Sequence, residues 1–187
     1  MNKIIVNGGK KLNGEISVQG AKNSVLPILV ATLLVNGVSV IHNCPYLSDV
    51  DATIRILRYL GCTVSREGHT VTVDSSTMCR QDVPDNLMRE MRSSIVFLGA
   101  LLARFRKASM TPPGGCEIGL RPIDLHLSSL RSMGVEISEN GGVLEFNAEN
   151  GMKGRNIILA FPSVGATENI MLASLGATGE TVITNAA

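Results

Sequence analysis

Cys62–Val73 reads CTVSREGHTVTV and Val135–Phe146 reads VEISENGGVLEF. Both alternate apolar and polar residues on either side of glycine. That is the pattern of a half-buried β-hairpin with a tight turn, expected here at Glu67-Gly68 and at Asn140-Gly141. Each hairpin follows an amphipathic helical stretch that glycine stops: Asp49 to Leu60 ends at Gly61, and Pro122 to Met133 ends at Gly134, with Pro122 suited to a first helical turn. A short strand segment precedes each of these helices, Asn36 to Asn43 in the first case and Arg106 to Thr111 in the second. An apolar helical run precedes each strand in turn, Ser24 to Val35 and Met88 to Phe105. Helix, strand, helix, hairpin therefore occurs twice, with a period of roughly 70 residues.

A third copy begins near Ser163. Its helical run is Thr167 to Ala177, and its strand, Thr178-Gly179-Glu180-Thr181-Val182-Ile183-Thr184-Asn185, matches Asn36-Gly37-Val38-Ser39-Val40-Ile41-His42-Asn43 in its glycine, its β-branched centre and its final asparagine. The sequence stops at Ala187, before the second helix and hairpin of this copy. A strand with nothing to cover it would leave apolar surface in water, so the chain is expected to be a fragment of a longer protein. Lys3 to Val6 and Glu15 to Val18, joined through Gly8, Gly9 and Asn13-Gly14, fall outside the repeat and read as two short strands. Residues 1–21 are expected to belong to a second, mostly absent domain, and residues 22–187 to one domain of two full repeats and part of a third.

Composition narrows the function classes. A net charge of +1 over 187 residues is no basic footprint, and no nucleic-acid-binding pattern occurs, so no nucleic acid partner is expected. Tryptophan is absent and aromatics make up 3% of the chain, which leaves Leu, Ile, Val, Ala and Met to fill the core. Ser24 to Ile41 approaches membrane-span length, but Pro27, Asn36 and Gly37 interrupt it; it reads as a buried helix and a strand, with no membrane partner. The start lacks the features of a signal peptide, which points to a cytoplasmic location. Cys44, Cys62, Cys79 and Cys116 show no metal or redox spacing. Cys44 and Cys62 adjoin apolar residues and read as inert core thiols, whereas Cys79 lies beside Arg80 in a polar connection.

Cys116 is different, since it stands on a loop with Gly114, Gly115 and Gly119, five residues before Arg121. With GAKN at Gly20–Asn23, MRSS at Met91–Ser94, GGCEIGLRPIDLHL at Gly114–Leu127 and FPSVGATENI at Phe161–Ile170, the chain resembles the bacterial UDP-N-acetylglucosamine enolpyruvyl transferases along its whole length. The resemblance implies an α/β fold, an inside-out α/β barrel built from repeated helix-strand-helix-hairpin units, here with the third unit incomplete. It also implies a reaction. The 3-hydroxyl of the GlcNAc ring attacks C2 of phosphoenolpyruvate while C3 gains a proton, and inorganic phosphate then leaves; this is the first committed step of peptidoglycan synthesis. No metal or organic cofactor is expected. The implied partners are the small molecules phosphoenolpyruvate and UDP-N-acetylglucosamine, together with the missing C-terminal domain of the same chain.

By the same resemblance Cys116 would be the proton donor to C3, on a loop that closes over the substrate, and the site of alkylation by fosfomycin. Lys22, Asn23 and Arg121 would bind phosphoenolpyruvate. Arg92, Arg121, Pro122, Ile123, Asp124, Leu125, Ser163, Val164 and Gly165 would bind UDP-N-acetylglucosamine. Physical chemistry suits those roles: an anionic substrate needs fixed cations and open helix-start N–H groups, and cations lower a thiol pKa toward the range useful for proton transfer. Phe161-Pro162 stands where some members of the family carry a lysine for the nucleotide. His126 would line the sugar site or be purely structural. On residue type alone Lys22-Asn23 also reads as a solvated cap, Arg92 as a surface charge, Cys116 as a turn cysteine and Ser163 to Glu168 as a plain helix start. A shikimate-3-phosphate enolpyruvyl transferase and a non-catalytic nucleotide-sugar binding module are the alternative functions. The Gly-Gly-Cys loop argues against the shikimate enzyme, and the chain alone is expected to be inactive.

Overall fold

The computed structural model describes residues 3–113 and 123–187. Helix α1 (Lys22–Ala31) continues into a 3-10 turn, Thr32–Leu34, and the chain then extends into strand β1 (Val38–Ile41). Helix α2 (Ser48–Tyr59) and the hairpin β2 (Thr63–Glu67) and β3 (Thr70–Asp74) complete the first unit. β3 lies between β1 and β2, antiparallel to both, with Ile41 opposite Val71 and Val64 opposite Val73. Val64, Val71 and Val73 are buried on the inner face, while Val38 and Val40 point outward. Apolar side chains at every second position thus hold the sheet to its helices, and a slip of one residue would expose them all.

The second unit opens with β4 (Asp82–Val83), the short helix α3 (Asp85–Met88), a 3-10 segment Arg92–Val96 and helix α4 (Phe97–Phe105). It closes with β5 (Lys107–Met110), α5 (Asp124–Ser132) and the hairpin β6 (Glu136–Asn140) and β7 (Val143–Asn147). Sheet order is β4-β5-β7-β6, with β4 parallel to β5 and the other pairs antiparallel. The third unit has β8 (Met152–Lys153), β9 (Asn156–Ile158), α6 (Val164–Ser174), β10 (Ala177–Thr178) and β11 (Val182–Thr184); β8 pairs with β10 and β9 with β11, both parallel. Asn43 and Asn185, matched by the repeat, both take left-handed backbone conformations, at φ 56° and 59°.

The central helices run in the same direction. Asn169 of α6 meets Ile95 and Gly99, and further on Gly176 meets Ala103, so partners on the two chains advance together. The approach is close because it uses glycine: a Cβ on Gly99 would fall 2.2 Å from the Asn169 carbonyl oxygen, and one on Gly176 would fall 2.5 Å from Ala103 Cα. α1 follows the same course, packing on the Arg92–Val96 segment while Arg104, at the end of α4, donates to the carbonyls of Leu33 at 2.7 Å and Val35 at 3.1 Å. α2 covers α1, and α5 covers α6. α4 is buried from Phe97 to Leu102 whatever the direction of the side chain, as befits a helix with neighbours on every side. Helices lie inside and sheets outside, and the third unit lacks its second helix and hairpin.

Several expectations need correction. The two-residue hairpin loops are Gly68-His69 and Gly141-Gly142, one residue later than expected, because the ladders pair Glu67 with Thr70 and Asn140 with Val143. Gly68, Gly141 and Gly142 all have positive φ, which these short turns demand. The run Met88 to Phe105 is no single helix. Met91 is extended at φ −148°, and Ser94 Oγ donates to the Met88 carbonyl at 2.9 Å across the break. α6 starts at Val164 rather than Thr167. Residues 3–20 form no strand; Ile4, Ile5, Val6, Leu12, Ile16 and Val18 are all exposed, with no ladder partner beside them. A strand exists only through its ladder, so alternation alone could not make one here.

Candidate functional site

Lys22 opens α1. The turn before it is fixed by Gly20, whose Cα lies so near the Asn43 carbonyl that a Cβ would stand 2.1 Å from the oxygen. No side chain caps α1, so its first N–H groups stay open to an acceptor. Lys22 Nζ pairs with Asp49 Oδ2 at 2.5 Å, and the lysine side chain is 52% exposed. Asn23 beside it is exposed. Asp49 sits in the first turn of α2, where a carboxylate is favoured by the helix dipole. Motif reading missed Asp49; an acid at a helix start is too common a feature to single it out.

Arg92 begins the 3-10 segment that leads into α4 and is half-buried. It acts electrostatically on His126 of α5, which is buried and faces α6. His126 Nδ1 lies 3.0 Å from Asn169 Nδ2, and its Cε1 and Nε2 atoms lie near Gly165, at 3.4 and 3.5 Å from where a Cβ would be. Burial, and secondarily the Arg92 guanidinium, lower the His126 pKa to about 4. Ser163 is the N-cap of α6 and accepts from the Ala166 N–H at 3.3 Å, while Thr167 donates back to the Ser163 carbonyl. Val164 is exposed and Gly165 half-buried in that first turn. Burial raises the pKa of Glu168, one turn on.

Ile123 caps α5 through its carbonyl, which accepts from His126 N–H at 2.9 Å. Asp124 is exposed in the first turn and Leu125 is half-buried. Cys116, Arg121 and Pro122 lie outside the described residues. The structure therefore joins Arg92, His126 and Gly165 in one cluster and ties Lys22 to Asp49. Asn169, the hub of the buried cluster, was not singled out in the sequence. Its signal was there: it shares the buried face of α6 with Ala166, Ile170 and Ala173, a position where an amide needs partners.

Cys44 and Cys62 are buried, as expected, and Cys79 is exposed. Among the described residues no group of His, Cys, Asp or Glu could hold a metal ion, and no helix is long and apolar enough to cross a membrane. A shallow polar groove of about 460 Å³ on the outer face of the four-stranded sheet, lined by Ser109, Glu136, Ser138 and Glu145 among others, contains none of these site residues.

Parallel helices enclosed by sheets make up the enolpyruvyl transferase fold. Solved structures share it: the enolpyruvyl transferase NikO from Streptomyces tendae aligns over 94% of this chain and 41% of its own, with a TM-score of 0.79 at 23% identity. EPSP synthase from Acinetobacter baumannii aligns over 91% of this chain and 40% of its own, at 0.71 and 21%. The chain belongs to the EPSP synthase (3-phosphoshikimate 1-carboxyvinyltransferase) family, which it matches over residues 6–187. Within that family it is 57% identical over all 187 residues to UDP-N-acetylglucosamine 1-carboxyvinyltransferase 2 of Caldanaerobacter subterraneus subsp. tengcongensis. It is 48% identical to UDP-N-acetylglucosamine 1-carboxyvinyltransferase of Endomicrobium trichonymphae. The chain spans 45% of the length of each of these two relatives.

Proposed function

We propose that the protein to which this chain belongs transfers the enolpyruvyl group of phosphoenolpyruvate to the 3-hydroxyl of UDP-N-acetylglucosamine in the cytoplasm, committing the sugar to peptidoglycan. The observation that carries this reading is the 57% identity, along the entire chain, to a relative named for that activity. In the addition step the sugar 3-hydroxyl gives its proton to a carboxylate base of the second domain and its oxygen bonds to C2 of phosphoenolpyruvate, while the Cys116 thiol gives its proton to C3. In the elimination step C3 loses a proton, the C2–O bond to phosphate breaks, and inorganic phosphate leaves. Lys22, Asn23 and Arg121 hold the phosphate and carboxylate of phosphoenolpyruvate, where paired charges and the open start of α1 favour an anion. Arg92, the segment Arg121 to Leu125, and Ser163 to Gly165 hold the nucleotide sugar. A thiol among cations is also the target an electrophilic phosphoenolpyruvate mimic such as fosfomycin needs.

The whole protein is assayed for phosphate release from phosphoenolpyruvate. Release that depends on UDP-N-acetylglucosamine is expected, and release that depends on shikimate 3-phosphate instead overturns the proposal in favour of the sister activity. No release with either acceptor, alongside tight binding of UDP-N-acetylglucosamine, favours a binding module. Cys116→Ser is expected to lose turnover while still binding the nucleotide sugar, and full activity in that variant removes the proton-donor role.

A further inference from the structure

Asn169 and His126 form a buried polar pair; motif reading leaves His126 either lining the sugar site or purely structural, and Asn169 without a role. Asn169 is fully buried. Its Oδ1 accepts from Gly99 N–H at 2.5 Å, and its Nδ2 donates to the Ile95 carbonyl at 3.1 Å. A backbone N–H only donates and a carbonyl only accepts, so these two bonds fix which end of the amide is which. The remaining N–H of Nδ2 then points to His126 Nδ1 at 3.0 Å. A ring nitrogen that receives a hydrogen bond carries a lone pair, so a neutral imidazole in this place bears its proton on Nε2. That second nitrogen lies beside Gly165 in the first turn of α6, and among the described residues no acceptor is hydrogen-bonded to it.

Two further features keep the ring in this state. Arg92 on the 3-10 segment opposes a second proton, and the burial of His126 opposes a charge of either origin. The small Gly165 leaves room at the ring edge; a Cβ there would come within 3.5 Å of Nε2. The whole device spans three elements, since α4 with its 3-10 segment orients the amide, α6 carries it, and α5 carries the ring. Asn169 is held at two backbone groups that cannot rotate away, and His126 is held by Asn169, which is what a preorganised donor requires.

We propose that Asn169 is a positioning residue, which through its amide holds His126 as the uncharged Nε2–H tautomer and turns that N–H toward the first turn of α6, as a donor to an acceptor oxygen of the nucleotide-sugar substrate. The identity of the ligand rests on the function proposed above; the tautomer does not.

The test labels histidine with nitrogen-15 in the whole protein and records long-range proton–nitrogen correlations, with the His126 signals identified by their loss in His126→Gln. The expected spectrum has an unprotonated δ1 and a protonated ε2 nitrogen at neutral pH, and the ε2 signals move when UDP-N-acetylglucosamine is added. In Asn169→Asp the new carboxylate accepts but cannot donate, so the ring proton moves to δ1, the ring titrates at higher pH, and KM for UDP-N-acetylglucosamine rises roughly tenfold while kcat changes less. A wild-type ring protonated on δ1, or charged at neutral pH, overturns the proposal whether or not Asn169→Asp folds. Unmoved ε2 signals at saturating UDP-N-acetylglucosamine overturn the donor role. Failure of the phosphate-release assay alone overturns the proposed function, and the spectrum still decides the tautomer.

Discussion

Acid should destabilise the fold through His126 in a defined window. In the fold this ring titrates at about 4, against 6.5 when unhindered, with burial the main cause and the Arg92 charge the second. Between these values the unfolded chain binds a proton that the folded chain refuses. Stability therefore falls as pH is lowered through 6.5 and levels off once the folded ring also protonates, near 4. At about pH 5 the unfolded state is favoured roughly thirtyfold by this one site, or about 2 kcal/mol, whereas at about pH 7.5 the effect is close to nil. Glu168 works in the opposite sense: a carboxyl with a raised pKa takes up a proton more readily in the fold and gains relative stability as pH falls. The comparison must therefore be between proteins that share Glu168. Urea unfolding of the ligand-free whole protein, followed by circular dichroism at both pH values and one ionic strength, is run for wild type and His126→Gln. Wild type is expected to lose about 2 kcal/mol more than the variant on acidification, with unchanged m-values. Equal losses would show that His126 is not held neutral in the fold.

Gly99→Ala places a methyl carbon 2.2 Å from the Asn169 carbonyl oxygen, so α4 and α6 must separate; a loss of about 1–3 kcal/mol or more in urea unfolding is expected, and an unchanged midpoint would refute the close crossing. Native-state alkylation at mildly alkaline pH, read by peptide mass mapping, should modify exposed Cys79 well before Cys44 and Cys62. Burial raises both thiols, Cys62 to about 11, and equal rates would contradict their placement. Lys22→Met removes a half-exposed ion pair with Asp49, so the unfolding midpoint should shift by less than about 1 kcal/mol, while KM for phosphoenolpyruvate rises roughly tenfold or more; the reverse pattern would make Lys22 a stabilising residue only. Ser163→Ala should cost about 1 kcal/mol by removing the N-cap of α6, and no change would show that the Ala166 N–H finds another acceptor.

The repeat was legible because its signals are local. Alternation in Cys62–Val73 and Val135–Phe146, and the stops at Gly61 and Gly134, are visible within a dozen residues. β4 and β9 were not legible: Asp82–Val83 and Asn156–Ile158 are two and three residues long, and each is a strand only because β5 or β11 lies parallel to it after a helical crossover. The break at Met91 was hidden for a related reason. The apolar pattern continues through it, and the backbone departs from helix where Ser94 turns back to the Met88 carbonyl. At the site, Lys22, Arg92 and Ser163 stand out as motif residues, whereas the place of Asn169 depends on Ile95 and Gly99, on another helix some seventy positions away.

The repeat also bears on the location of the proposed site. Lys22 opens α1, Arg92 opens the segment entering α4, and Ser163 caps α6, so three units contribute different side chains from one structural position. Because α1, α4 and α6 are parallel, those positions share one end of the helical layer. At the opposite end arginines close the helices: Arg104 donates to the carbonyls of Leu33 and Val35, and Arg106 donates to that of Gly176. Cations there agree with the helix dipole and satisfy the free carbonyls. A lysine or an arginine at a helix start opposes the dipole, and that arrangement is unfavourable unless an anion joins it. Asp49 supplies part of the negative charge for Lys22. A phosphate or carboxylate at these helix starts would be favoured for the same reason, which agrees with the substrate-binding roles proposed for Lys22, Arg92 and Ser163.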